Sequence, residues 1–538
     1  MFDNIHLSFT LKESTTGTSD PDVRLMNISV ATTIANILRT SLGPRGLAKL
    51  IIRQKKETEI FEADKQKTFV ITKDGATILK EMASEHPIAQ IIANAATAQD
   101  SVAGDGTLTM VVLAGELLKE AGNLINVGVH PTIIASGFSK ALKKSIKILE
   151  NLAFDVKVTD YEYWEKIAKT ALESKIDFVN RDHLAEITVE AVKRSLKTVN
   201  GRVKVDIDNV EIIKKEGGSL SDTFLCDGVF VDREIVRQDM PKLVENAKIA
   251  LIYGAIEVKE VKGKDLADMK LSITSPSQIA SFLEKEAEII KKMVEQIRDS
   301  GANVVLLNRG INDLAAYYLA RLGIPVWNRI FVPDMERIAR ITGGKVVNIK
   351  ELSTETLGHA KVVREVIVCG KKFLLIEGGR GHSTATIFVR SGLIYEAEEA
   401  ERALRDALWA VKNAIEYGKV IVGGGFPEIA LSCSLKKLAL NIEGLQQMAV
   451  DAFADALLII PHALAKNAGL NPLDALSILK TEYFNGKMYL GIDAAKKNIG
   501  NMMDNGVFEP LQVKLQALKS ATELAISLLR IDECLLYK

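Results

Sequence analysis

Cysteine is scarce in this chain: four of its 538 residues are cysteines, and none of them forms a CxxC pair. Their wide spacing excludes a structural zinc site, and their small number excludes a disulfide framework. We therefore expect buried thiols in a reducing compartment, at Cys226, Cys369, Cys433 and Cys534.

Excess charge and long apolar runs are lacking as well. Lysine plus arginine and aspartate plus glutamate both number 69, which gives no basis for capturing nucleic acid or an anionic membrane. The longest uncharged stretch, residues 121–139, contains His130 and Pro131 and is typical of a helix end followed by a helix start. Asp3, Lys12 and Glu13 argue against a signal peptide, so we expect a cytoplasmic protein.

Several catalytic signatures are also missing. The sequence has no GxxxxGK[ST], no HExxH and no GxSxG, which excludes a Walker-type loop, a zincin site and a nucleophile elbow. Glycine-rich loops are present instead, and bare backbone at a helix start can bind phosphate. These loops are SLGPRG at 41–46, KDGAT at 73–77, GDGT at 104–107 and VGGG at 422–425.

Each loop also has a plain structural interpretation. Asp105 could be a hard oxygen ligand for Mg²⁺ or merely the cap of a helix. The Gly-Pro segment could be a helix stop, Asp74-Gly75 a type I′ turn, and residues 423–425 a site of close packing. Asp406 follows Arg402 by four residues, so a solvated ion pair accounts for it. Four such loops together favour a nucleotide site.

The glycine loops lie in two distant blocks, which indicates one discontinuous domain with other domains inserted. Both blocks are rich in helical pattern, over residues 105–123 and 396–417. The middle alternates strand-length runs at 249–253, 304–307 and 346–349 with a long helix that ends before Gly301, which predicts an α/β region with a parallel or mixed sheet. The pairs at 217–218 and 378–379 are tight turns or a hinge.

In order and spacing, SLGPRG, KDGAT, AGDGT, GVHPTII, RDAL, VGGGFPE, NAGLNPL, GID and VFEPLQVK resemble group II chaperonins from about Leu25 onward. RTSLGPRG, GVHPTIIASGF and IIKKEGGSLSD are most similar to the delta paralogue of the eukaryotic cytosolic chaperonin. The resemblance implies an ATP-dependent chaperone that folds unfolded cytosolic proteins, actin and tubulin included, inside a double ring closed by a built-in lid. Its partners would be paralogous subunits and unfolded clients.

The resemblance also implies a multi-domain chaperonin fold. A mostly α equatorial domain would comprise residues 1–146 and 405–538. A small α/β intermediate domain would comprise 147–217 and 370–404. An α/β apical domain would span 218–369, with a helical protrusion at about 253–283. Tyr317 and Arg321, an i,i+4 pair beside the apolar stripe of the helix at 312–322, would bind clients.

Carried over by motif, the residues that would bind ATP and Mg²⁺ are Leu42, Gly43, Pro44, Gly104, Asp105, Gly106, Thr107, Leu108, Thr109, Lys175, Gly424, Gly425, Asp493 and Glu509. Among these, Asp105 would hold the metal and Lys175 would sense the γ-phosphate. Gly424 and Gly425 would face the adenosine, Asp493 would lie by the base and Glu509 would hold the ribose. The catalytic pair would be Asp74, near the γ-phosphate and its water, and Asp406, which would activate that water.

Three positions depart from the family's pattern. Leu108 replaces a hydroxyl in the phosphate loop, Arg405 stands where His or Asn is usual, and Phe426 follows VGGG where a small residue is common. Because Asp105, Thr107 and Asp406 remain, we expect hydrolysis to persist, with Leu108 as a reason for a slower rate. Two alternatives stay open: a structural ring subunit that binds nucleotide without turnover, and a small-molecule kinase that works as a monomer.

Overall fold

A computed structural model of the chain describes residues 21–52, 69–82, 86–176, 178–226, 228–257, 276–368, 370–381 and 385–532. Its helices are α1 Pro21–Arg39, α2 Gly75–Glu81, α3 Pro87–Ala103, α4 Thr107–Asn126, α5 Pro131–Leu152, α6 Tyr161–Glu173, α7 Phe178–Arg194, α8 Pro276–Asp299, α9 Asp313–Arg321, α10 Val332–Thr342, α11 Ile394–Tyr417, α12 Phe426–Ala439, α13 Leu445–Ala456, α14 Ile459–Ala468, α15 Pro472–Phe484 and α16 Leu511–Leu529.

The strands are β1 Lys49–Ile52, β2 Phe69–Thr72, β3 Phe154–Asp155, β4 Leu196–Val199, β5 Arg202–Val205, β6 Val210–Glu216, β7 Phe224–Cys226, β8 Gly228–Val231, β9 Leu243–Ile252, β10 Val304–Leu307, β11 Val326–Trp327, β12 Val346–Val347, β13 Gly358–Val368, β14 Lys371–Gly379, β15 Ala385–Ser391, β16 Lys419–Val422, β17 Leu490–Asp493, β18 Asn498–Asn501 and β19 Phe508–Pro510.

The chain divides into two compact units. The first combines Met1–Asp155 with Lys419–Lys538, and the second is Val156–Gly418. The prediction of one helix-rich domain built from both chain ends is confirmed. The two units change over at Asp155 and Lys419, whereas the equatorial boundaries predicted at 146 and 404 lie within the helices α5 and α11. The further division into equatorial, intermediate and apical domains stays a prediction.

Helix packing forms the core of the first unit. Helix α4 is buried along most of its length and lies against α1, α13 and α16. Phe138 of α5 and Phe453 of α13 are fully buried and meet edge to face, with ring centroids 5.6 Å apart. By length and composition alone, residues 445–468 could cross a membrane. However, 72% of the apolar 18-residue stretch within them is buried inside the protein.

The second unit contains a mixed seven-stranded sheet, as the alternation of strands and helices predicted. Its strand order is β11-β10-β9-β13-β14-β8, and β12 also pairs with β9. Strands β9, β10, β11 and β12 are parallel, whereas β13 is antiparallel to β9 and β14. A smaller sheet, β6-β15-β7, packs with α7 and α11. The carboxyl end of β10 leads into the loop before α9.

The two glycine pairs have different roles. Gly217 and Gly218 follow β6 with left-handed φ values of 110° and 93°, as expected of a turn. Gly378 and Gly379 lie within β14 and make no turn; a Cβ on Gly379 would lie 2.3 Å from the carbonyl oxygen of Ile341. Most of the predicted protrusion, residues 258–275, lies outside the described residues, as do Cys369 and Cys534.

Cys433 is buried and Cys226 is half-buried, and both are free thiols. Burial raises the pKa of the Cys433 thiol, although the charges of Lys480, Lys437 and Lys436 oppose the shift. A thiol that stays protonated is a poor nucleophile and a poor metal ligand. The expectation of a buried thiol therefore holds for Cys433, whereas Cys226 is only half-buried.

Candidate nucleotide site

The GDGT loop joins two helices through glycines in left-handed conformation. Gly104 ends α3 with φ 66°, and Gly106 precedes α4 with φ 83°. Asp105 does not cap α4 as the structural alternative had it; its Oδ1 accepts a 2.6 Å hydrogen bond from the N–H of Gly106. Thr107 is buried at the first position of α4. Bare backbone therefore lies beside a carboxylate at a helix N-terminus. The helix N-terminus favours a phosphate, and the carboxylate favours a cation.

Helix α2 starts beside this loop. Asp74 is its N-cap, and its Oδ2 accepts hydrogen bonds from Thr77 N at 2.9 Å and Thr77 Oγ1 at 2.7 Å. The type I′ turn is therefore wrong, because Gly75 is already helical. A Cβ on Gly75 would lie 2.9 Å from Thr107 Oγ1 and 3.0 Å from Leu108 Cδ2, so the N-termini of α2 and α4 meet at this glycine.

The LGPRG segment reaches the far end of the chain. Gly43 has φ 80°, and its added Cβ would lie 2.4 Å from Leu464 Cδ2. The carbonyl of Leu42 accepts a 2.8 Å hydrogen bond from the Asn467 side chain. Arg45 donates to the carbonyl oxygens of Ala494 at 2.5 Å and Ala495 at 3.2 Å. This segment is therefore fixed against the residues that directly follow Asp493.

The VGGG loop lies in the same neighbourhood. Gly424 and Gly425 have φ values of 68° and 81°, and Gly425 precedes α12. A Cβ on Gly425 would lie 2.9 Å from Pro461 Cβ and 3.6 Å from Leu464 Cδ1, the side chain that also meets Gly43. The N–H of Ile492 donates to the carbonyl of Gly424 at 2.9 Å. The close-packing interpretation thus holds for these glycines.

The two predicted nucleoside carboxylates are held differently. Asp493 is buried at the end of β17, where its oxygens accept hydrogen bonds from Lys496 N and Asn505 Nδ2, each at 2.9 Å. Glu509 lies in β19 opposite Ile421, and its side chain is 29% exposed. Its Oε1 lies 2.6 Å from the position of a Cβ on Gly423. Both carboxylates therefore lie next to the VGGG loop and its β17 neighbour.

Lys175 and Asp406, distant in sequence, are brought together within the second unit. Lys175 follows α6, and its Nζ lies 2.5 Å from Asp406 Oδ2 on α11. Their side chains are only 6% and 14% exposed. The solvated pair of Asp406 with Arg402 is therefore wrong, since Arg402 binds Glu399 at 2.8 Å on the same helix. Two residues assigned to one reaction by motif thus contact each other directly.

The three departures have distinct surroundings. Leu108 is half-buried and packs against the core of the first unit beside Gly75. Arg405 is exposed and pairs with Glu401 at 3.2 Å. Phe426 is fully buried, with its ring centroid 5.4 Å from that of Tyr489. Phe426 is thus a packing residue behind the loop.

Sequence reasoning missed several residues of this site. Gln99 is fully buried and donates from Nε2 to the carbonyl of Asp105 at 2.9 Å, which supports the GDGT loop from behind. Lys514 is buried between Glu428 and Glu509. Only Lys514 gave a signal, because it interrupts the apolar stripe of α16 on the side that becomes buried. Nothing in the sequence indicated Gln99.

The donor chemistry fits Mg²⁺ with ATP. Magnesium in such sites takes one or two carboxylates and completes its shell with phosphate oxygens and water. Asp105 supplies one carboxylate, and the described residues contain no cluster of three metal-ligating side chains that would form a complete protein cage. An added Cβ at Gly75, Gly424 or Gly425 would collide with neighbouring protein atoms, so these loop positions have no room for a side chain. Asp105 would hold the metal, which would neutralise charge on the phosphates.

Comparison with known proteins agrees with this architecture. Residues 34–538 match the model of the TCP-1/cpn60 chaperonin family. The chain is 44% identical to thermosome subunit alpha of Archaeoglobus fulgidus over 98% of its length and 94% of the relative. It is 45% identical to a thermosome subunit of Pyrococcus horikoshii over 95% of its length and 91% of the relative. It is 44% identical to thermosome subunit beta of Archaeoglobus fulgidus over 98% of its length and 94% of the relative.

The chain therefore belongs to the TCP-1/cpn60 chaperonin family and, within it, to the group II, thermosome-type chaperonins. The predicted chaperonin fold is confirmed. The relatives are archaeal thermosome subunits, so the finer assignment to a eukaryotic delta paralogue is not carried by these matches. Family membership also removes the small-molecule kinase from consideration.

Proposed function

We propose that this chain is an ATP-hydrolysing subunit of a double-ring chaperonin that folds other proteins. The observation that carries the proposal is that the glycine loops of the first unit meet in pairs: KDGAT meets GDGT at Gly75, and LGPRG meets VGGG at Leu464. Phosphoryl transfer to water needs mainly positioning and charge neutralisation. Bare backbone at the starts of α2, α4 and α12, with Asp105 beside it, supplies both.

The family pattern assigns the individual roles. Gly43, Pro44, Thr107 and Thr109 contact the phosphates, and Asp105 holds Mg²⁺. Asp493 lies by the base and Glu509 holds the ribose. Asp74 lies near the γ-phosphate and its water, and Asp406 activates that water. Lys175 senses the γ-phosphate, and its ion pair with Asp406 supports a shared task.

The decisive experiment separates binding from turnover. Asp406→Ala removes the general base and the ion pair with Lys175, and it should retain ATP and lose about a hundredfold or more in single-turnover hydrolysis. Asp105→Ala should weaken Mg-ATP binding itself, because the metal loses its protein ligand. Asp406→Asn keeps the size of the side chain and should lose turnover in the same way. Glu523→Ala removes an exposed carboxylate of α16 and is the control that should change neither binding nor turnover.

Unchanged single-turnover hydrolysis in both Asp406 variants would contradict the assignment. The same assay decides the alternative of a ring subunit that binds nucleotide without turnover. Leu108, in place of a phosphate-loop hydroxyl, is the observation that favours that alternative. Wild-type protein that binds Mg-ATP tightly and shows no hydrolysis would support it.

We propose further that the chain works among paralogues, as a delta-type subunit of a eukaryotic cytosolic chaperonin whose clients include actin and tubulin. The support is the RTSLGPRG, GVHPTIIASGF and IIKKEGGSLSD segments. Native mass measurement of the protein from its own cell, with identification of co-purifying chains, tests this. A very large cytoplasmic complex with related chains is expected, and a pure homo-oligomer would overturn it.

The proposed client surface is the exposed side of α9. Ala315, Ala316 and Leu319 are buried and pack on the sheet, as the plain interpretation of the stripe holds. Tyr317 is 41% exposed and lies between two guanidinium groups, 5.8 Å from that of Arg237 and 5.9 Å from that of Arg321. Tyrosine and arginine combine apolar area with a polar tip, which suits varied, partly folded chains.

A further inference from the structure

Behind the VGGG loop, one lysine is buried between two glutamates. Lys514 Nζ lies 2.9 Å from Glu428 Oε1 and 2.8 Å from Glu509 Oε2. The side chains of Lys514 and Glu428 are 10% and 4% exposed, whereas that of Glu509 is 29% exposed. Burial alone lowers the pKa of Lys514, but the two carboxylates outweigh it and hold that pKa well above its usual value. The lysine is therefore charged.

Glu509 is restrained from two sides. Its Oε2 accepts from Lys514. Its Oε1 lies beside Gly423, 2.6 Å from the position that a Cβ on this glycine would take. Lys514 is itself anchored from α16 to Glu428, in the first turn of α12. A glutamate side chain has three rotatable bonds, so without such partners it would sample many positions. The arrangement selects one of them.

A purely structural role explains the group less well. Two carboxylates and one ammonium leave a net charge of minus one, and Oε2 of Glu428 is buried with no hydrogen-bond partner among the described residues. A buried ion pair is weak evidence for stability, because apolar residues of similar size are often as stable. Fixing a group that must meet a ligand is a reason to keep such a costly arrangement.

We infer that Lys514 is a positioning residue that holds the Glu509 carboxylate where it binds the ribose hydroxyls of ATP, with Glu428 as the anchor of Lys514. This inference rests on the proposed function, in which Glu509 holds the ribose. Lys514 does not touch the nucleotide in this scheme. It acts by restricting the position of a carboxylate that does.

The experiment compares binding of ATP, 2′-deoxy-ATP and 3′-deoxy-ATP to the full-length protein, with magnesium present. A hydrogen bond to a charged group predicts that the wild type prefers ATP by about tenfold or more over at least one deoxy analogue. The main variant is Lys514→Met with Glu428→Gln, which removes the lysine without leaving a buried carboxylate unpaired. The group keeps its net charge of minus one, now carried by Glu509 alone.

In this double variant the preference for ATP should fall to about twofold or less, while binding of the deoxy analogues stays near the wild-type level. Glu428→Gln alone is the matched control, because the amide oxygen of glutamine still accepts from Lys514, so the Lys514–Glu509 contact and the preference should remain. Lys514→Arg should restore part of it. A merely structural role would lower thermal stability and leave the ratio of ATP to deoxy-ATP affinities unchanged.

An unchanged ratio in the double variant overturns the inference, and so does an equal loss in Glu428→Gln alone. A wild type that binds ATP without any preference over the deoxy analogues overturns it as well. These outcomes are distinct from failure of the proposed function, which would appear as absence of ATP binding in the wild type itself.

Discussion

The glycine loops of the first unit and the Lys175–Asp406 pair of the second unit are built in opposite ways. In the first, Gly43, Gly75, Gly424 and Gly425 bring main chain close to Leu464, Thr107, Met502 and Pro461, at distances that leave no room for a side chain. In the second, Lys175 and Asp406 form an ion pair, and both side chains are largely buried. The first arrangement is therefore vulnerable to added atoms, and the second to removed ones.

This difference matches the roles proposed for the glycine loops and for the Lys175–Asp406 pair. A phosphate is bound by many N–H groups at once, which requires close approach of backbone and so the absence of Cβ atoms. A carboxylate with the proposed role of activating water needs one orientation, which the contact with Lys175 favours. The predictions below test the contrast by adding an atom in one unit and removing a charge in the other.

The largest effect is expected for Lys175→Met. Asp406 would then be a buried carboxylate without its lysine, which costs about 3 kcal/mol of folding stability. Denaturant unfolding of the chain measures this. The double variant Lys175→Met with Asp406→Leu should recover most of the loss, since no unpaired charge remains. A double variant as unstable as the sum of the two single ones would show that the pair is not coupled.

A smaller effect is expected when an atom is added to the glycine loops. Gly425→Ala places a methyl group 2.9 Å from Pro461 in a left-handed conformation, so ATP affinity should fall about tenfold, the equivalent of about 1.4 kcal/mol. Gly128→Ala is the matched control, because Gly128 has φ 92° and nothing within 4 Å of an added Cβ. It should cost about 1 kcal/mol of stability and leave ATP binding intact. Equal ATP affinities in both variants would refute the close-approach argument.

On the exposed side of α9, removed atoms should cost function without costing stability. Tyr317→Ala with Arg321→Ala should weaken client retention on intact rings by about fivefold, roughly 1 kcal/mol, with ATP turnover unchanged. Tyr417→Ala with Arg298→Ala removes a tyrosine and an arginine that are also exposed, at 56% for Tyr417 and 54% for the Arg298 side chain, elsewhere in the same unit, and should have no effect. If the rings fall apart, or if clients are retained as before, α9 is a packing helix only.

The smallest effect is expected at Leu108. Leu108→Thr restores a hydroxyl at the start of α4 and should raise single-turnover hydrolysis about threefold, or roughly 0.7 kcal/mol of barrier. Leu108→Val gives nearly the shape of threonine without a hydroxyl and should not raise the rate. A similar gain in both variants would mean that the space beside Gly75, not the missing hydroxyl, limits the reaction.

The sequence by itself determined the helix-rich ends, the α/β middle and the four glycine loops. Period and punctuation are local properties, so α4, α11 and the strands β9 and β10 follow from them with shifts of a few residues at their ends. Ordered motifs also identified the family, which the match over residues 34–538 confirms. The roles of the carried-over residues stay predictions.

Only the tertiary structure decided which side chains meet. Asp406 looked like a surface residue paired with Arg402, yet it binds Lys175, 231 positions away in the chain. Gln99 lies in no motif, and Lys514, although it is the last residue of VFEPLQVK, received no role, because the importance of both comes from the groups that packing places around them: the Asp105 carbonyl in one case and two glutamates in the other. Burial and pairing are properties of contacts between distant segments, and no local pattern encodes them.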